Sequence, residues 1–298
     1  MSKRIDDIDD DQIRVLGRRK SDSTSGTGRK SGWKYVFIVS AVLAAWLVIM
    51  VMQRNYSNRG ANETELEQAL YEPESVTTPV LEPVTPLGSN DDTDKAYTEH
   101  LKRTINDIPL DIYIPHNATA ELCLGVPDMF DKSIVLTTQA ADIRADNGKI
   151  VGAFVLKGEP LTWGLSKKGY VAIIDGKVTV GVADNSPLFE EATEKGGYFF
   201  RQYPLVDNGV LVENEPKGKS VRKAICDRAG EIMVVMTVSD ESMHDFAQAL
   251  VDLRVDNAVY VVGSKYSYGY FRDKFDHFTQ FCEKTRGGQK FENFVVWR

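Results

Sequence analysis

The sequence predicts an α+β fold dominated by sheet, in the carboxy-terminal part of the chain, preceded by one transmembrane helix and a Pro-rich linker. Three observations lead there. Short runs rich in Val, Ile, Tyr and Phe recur between Leu110 and Trp297, each bounded by Gly, Asn, Asp or Pro, which is the pattern of strands. Only one segment convincingly repeats its apolar residues at helical spacing. One uncharged run, Tyr35 to Met52, is long enough to cross a bilayer.

In chain order, residues 1–34 hold Ser, Thr and Gly around SDSTSGTGRKSG without apolar periodicity, and form a disordered cytoplasmic tail. Residues 35–52, YVFIVSAVLAAWLVIMVM, carry no charge and cover ~27 Å at helical rise. A cleaved signal peptide would place small residues at its end. Here Ala44 and Ala45 lie in mid-run and a long polar tail precedes them, the signature of an uncleaved anchor. Lys3, Arg4, Arg14, Arg18, Arg19, Lys20, Arg29, Lys30 and Lys34 stand before the run, against Arg54 and Arg59 just after it. That imbalance keeps the amino terminus in the cytoplasm and exports the rest, into the periplasm if the cell is Gram-negative. Pro73, Pro79, Pro83 and Pro86 make residues 53–93 a semi-extended stalk with a reach of ~35 to ~120 Å.

The domain proper occupies 94–298, and its expected strands are LDIYI, AELCLGV, SIVLTT, KIVGAFVL, GYVAII, KVTVGV, GYFF, EIMVVMTV, NAVYVV and ENFVVW. Asp175-Gly176 supplies the positive φ angles of a tight hairpin between two of them, and Asn147-Gly148 marks another turn. In SMHDFAQALVDL, Met243, Phe246, Ala247, Leu250 and Leu253 recur at three and four, with Ser242 as cap and Asp245 in the first turn.

Composition excludes several classes of function. With 42% hydrophobic and 27% charged residues the 298-residue chain has a folded core, so neither wholesale disorder nor a multi-span membrane protein fits. A net charge of −7 argues against nucleic acid as partner, because phosphate backbones are held by clustered Lys and Arg. Cys123, Cys226 and Cys282 are too widely spaced for a zinc knuckle or disulfide scaffold, and four scattered histidines make no ligand pair. Neither a metal nor a cofactor is expected.

The carboxy-terminal half carries RQYPLV, then SVRKAICDRAGEIMVV, then ESMHDFAQALVDLRVDNAVYVVG. In this ordered set the chain resembles the phosphodiester glycosidase family, whose animal member uncovers mannose 6-phosphate by removing a terminal N-acetylglucosamine. The family shows a Gln followed by Pro-Leu-Val, an Arg opening an Arg-x-Ala strand, a Gly turn, and a helix leading to a strand of the type Asn-Ala-x-x-Leu-Asp-Gly-Gly. Gln202 with Pro204, Leu205 and Val206, Arg222 with Ala224, and Asn257, Ala258 and Gly263 stand at matching positions. GKIVGAFVLKGEP and GYVAIIDGKVTVGV are similar to its paired strands, so the resemblance covers roughly Ser133 to Tyr270. Two departures stand out. Val262-Gly263-Ser264 replaces Asp-Gly-Gly, and QAADIRADNG replaces an Asn-Gly-Gly motif. Cleavage of a glycosyl phosphodiester uses a carboxyl as acid, base or nucleophile, and valine can be none of these.

The resemblance implies a sheet-dominated phosphodiester glycosidase-like domain with Arg222, Gln202, Gly263 and Ser264 on the substrate, and leaves the catalytic residue unassigned. Arg222 suits an anion, having paired donors and a permanent charge; its alternative is a structural ion pair. Gly263 and Ser264 either let a ligand approach backbone amides or form a plain turn. Tyr266, Tyr268, Tyr270 and Arg272 either make a stacking platform for a sugar or one face of a strand. Asp142, Asp146, Asp256 and Asp273 are the carboxylates available to replace the missing one, or are surface charges. Two functions remain open: a membrane-anchored exported hydrolase of envelope glycosyl phosphodiesters, or an inactive relative that binds a carbohydrate or anion, or serves as an envelope scaffold. In both, the ligand is a sugar phosphate or glycan, and Gln202, Arg222 and Gly263 are expected to converge at one mouth of the sheet assembly.

Overall fold

The computed structural model describes residues 84–89, 94–264, 267–282 and 292–298. The expected tail, the 35–52 run and most of the stalk lie outside the described residues, and among these no helix is long and apolar enough to cross a membrane.

Strands β1 (Tyr97–Ile105) and β2 (Ile108–His116) pair antiparallel around Asn106 and Asp107, which both adopt positive φ. Asn and Asp tolerate that region, so the turn forms without glycine. The middle and far end of β1 are polar and half-exposed, which hides the strand from a search for apolar runs. The chain continues through β3 (Ala120–Leu124), β4 (Leu136–Gln139), β5 (Ala153–Leu156), β6 (Glu159–Trp163), β7 (Gly169–Ile174) and β8 (Lys177–Val182). The hairpin joining β7 to β8 turns on Asp175 and Gly176 at φ 50° and 78°, as the sequence requires.

Helix α1 (Leu188–Glu194) follows, a second helix beside the expected one. It is short, and a single buried residue, Ala192, leaves too little apolar periodicity to announce it. Then come β9 (Tyr198–Gln202), β10 (Pro204–Asp207), β11 (Val210–Leu211), β12 (Lys223–Arg228) and β13 (Glu231–Thr237). The amphipathic helix is α2 (Met243–Asp252), and the Ser242 side chain accepts a hydrogen bond from the Asp245 amide at 2.9 Å, so the cap forms as expected. Strands β14 (Asn257–Val261), β15 (Gly269–Arg272), β16 (Phe278–Cys282) and β17 (Asn293–Trp297) complete the chain.

The described strands make three antiparallel sheets, in the orders β1-β2-β13-β12-β14-β10-β11, β16-β15-β4-β17-β3 and β6-β5-β9-β7-β8. The alternation of side chains along a strand divides the seven-stranded sheet between two cores. Ala224, Cys226, Met233, Val235 and Ala258 face the α2 side with Phe246 and Leu250. Ile225, Val234, Val259 and Val261 face the other way, against Leu136, Phe154, Val171, Phe200 and Trp297 of the two smaller sheets. The architecture is therefore sheet-dominated α+β with two helices among the described residues.

Residues 84–89, within the expected stalk, lie on this folded unit. The Glu231 carboxylate accepts from the amides of Leu87 and Gly88, and Glu99 accepts from that of Ser89. Burial pushes the Cys123 thiol up to about 11, and the fully buried Cys226 thiol higher still, so both behave as small apolar groups.

Arg298 ties β17 to its surroundings by bonding Glu121 and Asp131. That guanidinium, with help from Ser133, lowers the Asp131 carboxyl from 3.8 to about 2. A carboxyl depressed in the folded state contributes stability above its unfolded value, and the contribution disappears as pH falls toward the folded one. Asp131→Asn should therefore be less stable than wild type at pH 6, with the difference closing between about pH 4 and pH 2 in urea titrations. The pair is at the surface, so the difference is small. A gap unchanged down to pH 2 would contradict the assignment.

Candidate functional site

The strand ends β9, β12 and β14 and two loops bring one polar cluster together. Its centre is Gln202, the last residue of β9, which is fully buried. Its Oε1 accepts from the Lys167 ammonium at 2.7 Å and from the Tyr203 amide at 3.0 Å. Two donors on one atom fix it as the carbonyl oxygen and leave Nε2 as the donor end. Among the described residues Nε2 has no acceptor, although it is buried. Such groups are rare, because an unmet buried donor costs about 1–3 kcal/mol.

Lys167 sits in the loop between β6 and β7 with a positive φ of 72°, a conformation that turns it inward. Its ammonium also meets the Asp142 carboxylate at 2.5 Å and lies 4.3 Å from the centre of the Tyr203 ring. Asp142 stands at the mouth, with about a third of its side chain exposed, while Lys167 is nearly covered. The loop holding Asp142 is pinned by neighbours on both sides: Asn293 Oδ1 accepts from the Ala141 amide, and the Ala140 carbonyl accepts from the Val262 amide.

The other half of the cluster is built on β12 and β14. The Tyr260 amide donates to the Tyr203 carbonyl at 2.9 Å, and the Tyr260 hydroxyl accepts from the Gly263 amide at 3.0 Å. Burial raises the Tyr260 phenol first and the Asp142 charge adds to this, while the Gly263 amide and Arg222 pull it back. Tyr203 is raised by burial and then by the charges of Asp142 and Glu215. Both phenols thus keep their protons at neutral pH and remain donors.

Gln202, Arg222 and Gly263 accordingly converge, linked through Tyr203 and Tyr260, as the sequence leads one to expect. Their roles differ in detail from the expectation. The Arg222 guanidinium is buried and donates to the carbonyls of Glu241, at 2.8 Å, and Gly218, so it also anchors the loops around the cluster. Neither backbone amide of the Gly263-Ser264 pair is open to a ligand: Gly263 donates to Tyr260 and Ser264 to the Val221 carbonyl at 2.9 Å. The close approach that demands glycine is internal. A Cβ on Gly263 would lie 2.5 Å from the Val221 carbonyl oxygen.

Of the four carboxylates, Asp142 alone belongs to the cluster. Asp146 pairs with Arg144 at the surface, Asp256 accepts from the Ala229 amide, and Asp273 caps the turn at Phe275 and His277. The tyrosine platform is not formed. Tyr268 and Tyr270 are buried against Phe294, Ile134 and Val296, Tyr270 donates to the Asp128 carbonyl, and Arg272 to that of Met129. Alternation along the strand points both rings into the core, and Tyr266 lies outside the described residues. Lys167, Tyr203, Tyr260 and the positioning residue Arg201 are not marked by any motif in the sequence.

In overall structure the chain is similar to the zebrafish N-acetylglucosamine-1-phosphodiester alpha-N-acetylglucosaminidase catalytic domain auto-inhibited by its pro-peptide, at 10% identity and a TM-score of 0.47, over 68% of this chain and 82% of that one. It is also similar to a hypothetical protein from Synechocystis at 12% identity and a TM-score of 0.48, over 69% of this chain and 64% of that one, slightly under two thirds of its length. No family model and no curated protein matches the sequence.

Proposed function

We propose that this is a phosphodiester glycosidase-like domain that binds an anionic sugar, of the glycosyl phosphate or phosphodiester class, at the Lys167, Gln202 and Arg222 cluster. The observation that supports it is the buried Gln202 Nε2, a donor without an acceptor beside an ammonium and a guanidinium. A phosphate or sugar oxygen satisfies that donor and balances the positive charge. Tyr203 and Tyr260 supply protonated hydroxyls for the sugar. Anchoring by residues 35–52, with the folded unit exported, belongs to the same proposal and is supported by the apolar run and its Lys/Arg asymmetry.

Hydrolysis is the second reading, favoured by one observation: Tyr203 feels both Asp142 and Glu215, two carboxylates approaching the cluster from different loops. Acid and base roles on a glycosyl bond require such a pair.

The purified full chain, titrated with UDP-N-acetylglucosamine, is expected to gain about 2.7 kcal/mol at a hundredfold excess over Kd. That is roughly 5–11 °C in Tm for a folded unit of this size. Gln202→Glu keeps both accepted hydrogen bonds but replaces the donor with a negative oxygen, so it should abolish the ligand shift while leaving the ligand-free Tm close to wild type. A full ligand shift in that variant, or none in wild type, refutes the binding proposal. Release of free sugar, lost on Asp142→Asn, would decide for hydrolysis.

A further inference from the structure

A second surface continues the cluster outward. At the end of the edge strand β6 the Trp163 side chain is 66% exposed and Leu165 is 67% exposed. Two clefts share Trp163. One, of ≈370 Å³, is lined by Lys149, Ile150, Leu161 and Thr162. The other, of ≈180 Å³, contains Leu165, Asn185, Phe189 and Glu190, with the buried Arg201 in its wall.

This surface is built from the same segments as the cluster. The hairpin from Asp142 to Val151 closes with the Val151 amide on the Asp142 carbonyl, and an Ile143–Ile150 bridge lies inside it. Its first residue gives the cluster its carboxylate, and its far side gives the larger cleft Lys149 and Ile150. Trp163 and Lys167 are the two ends of one short loop. That loop is held against the hairpin by close backbone packing, since a Cβ on Gly164 would lie 3.2 Å from the Gly152 Cα. Arg201, in the wall of the smaller cleft, directly precedes Gln202.

We infer that Trp163 is a stacking platform for the glycan chain that extends from the sugar held at the cluster, so that the ligand is an oligosaccharide or polymer rather than a single sugar. This rests on the proposed function above. One exposed indole, with ammonium, hydroxyl, amide and carboxylate groups along both sides, matches the apolar face and equatorial hydroxyls of a pyranose. Continuity with the cluster favours a glycan over a separate protein or a bilayer, whose docking would need no shared hairpin.

The test is calorimetry on the full chain with N-acetylglucosamine, glucose and mannose oligomers of one to six units, alongside UDP-N-acetylglucosamine and sedimentation velocity. In wild type, at least one hexamer is expected to bind about tenfold or more tightly than its monomer, the effect of ~1.4 kcal/mol of stacking. Trp163→Ala should erase the length dependence and leave UDP-N-acetylglucosamine binding unchanged; Trp163→Phe should retain part of it. Length-dependent binding that depends on Trp163 but occurs without nucleotide-sugar binding would support the platform and sink only the cluster assignment. No length dependence in any series, or one insensitive to Trp163→Ala, overturns the inference. So does a Trp163→Ala change confined to sedimentation, which would mark an interface between copies of the chain.

Discussion

Gly263→Ala is expected to lower Tm by roughly 6–12 °C, corresponding to a loss of about 3 kcal/mol. The position follows β14, where the chain passes under β12, and the added Cβ would sit 2.5 Å from the Val221 carbonyl oxygen and 3.3 Å from the Arg222 Cα. Both are backbone atoms, so no side-chain rotation relieves the overlap. The sheet end must shift. A shift here also moves the Tyr260 hydroxyl, which would be 3.2 Å from the new atom and accepts from the Gly263 amide. The stabilisation by UDP-N-acetylglucosamine should therefore fall with Tm. Gly218→Ala is the control, because its Cβ meets nothing within 4 Å, and it should stay within about 0.5 kcal/mol of wild type. If Gly263→Ala melts within two or so degrees of the control, the packing account of this glycine is wrong.

Strands and helices whose burial follows a simple period were legible in the sequence, and those that break the period were not. NAVYVV and EIMVVMTV became β14 and β13 because sheets or helix cover both faces and nearly every position must be apolar. YTEHLKRTI became β1 although most of it is polar, because it is an edge strand paired on one side only. Asp175-Gly176 announced its turn, whereas Asn106-Asp107 formed the same kind of turn without glycine.

The candidate site divides along a similar line. Gln202, Arg222 and Gly263 were visible as an ordered set. Lys167 was not, because its role depends on a left-handed backbone and on a carboxylate 25 positions away. Asp142 appeared only as one of four equal candidates, and the fold selected it by bridging its loop to Asn293 and Val262. Arg272 and the tyrosines beside it illustrate the opposite failure. Their side chains suit a sugar, yet strand alternation buries Tyr268 and Tyr270 and gives the guanidinium to the Met129 carbonyl.

Arg201→Met should cause the largest loss of all, about 4 kcal/mol, together with the loss of ligand binding. Arg201 is 2% exposed, on β9 opposite Tyr170. Its guanidinium donates to the Lys167 carbonyl at 3.1 Å, the Ala183 carbonyl at 2.8 Å and the Asp184 carbonyl at 3.1 Å. Burial lowers its pKa, which still lies far above neutrality, so the charge persists and each bond is charge-assisted. Methionine fills much of the same volume but leaves three carbonyls on two loops without their shared donor. The loop carrying Lys167 then loses the tether that keeps its ammonium between Asp142 and Gln202. Arg201 touches no ligand in this account; it is a positioning residue, and its variant must show a readout beyond stability. The expected one is a UDP-N-acetylglucosamine shift that disappears even at temperatures well below the variant's Tm. Arg201→Lys should not restore it, because a single ammonium on a flexible stem cannot span carbonyls from residue 167 and residues 183–184 as a planar fork does. Retained ligand binding in a folded Arg201→Met protein, or full rescue by lysine, would show that Lys167 is held by its own loop and that the guanidinium is only a local fastener.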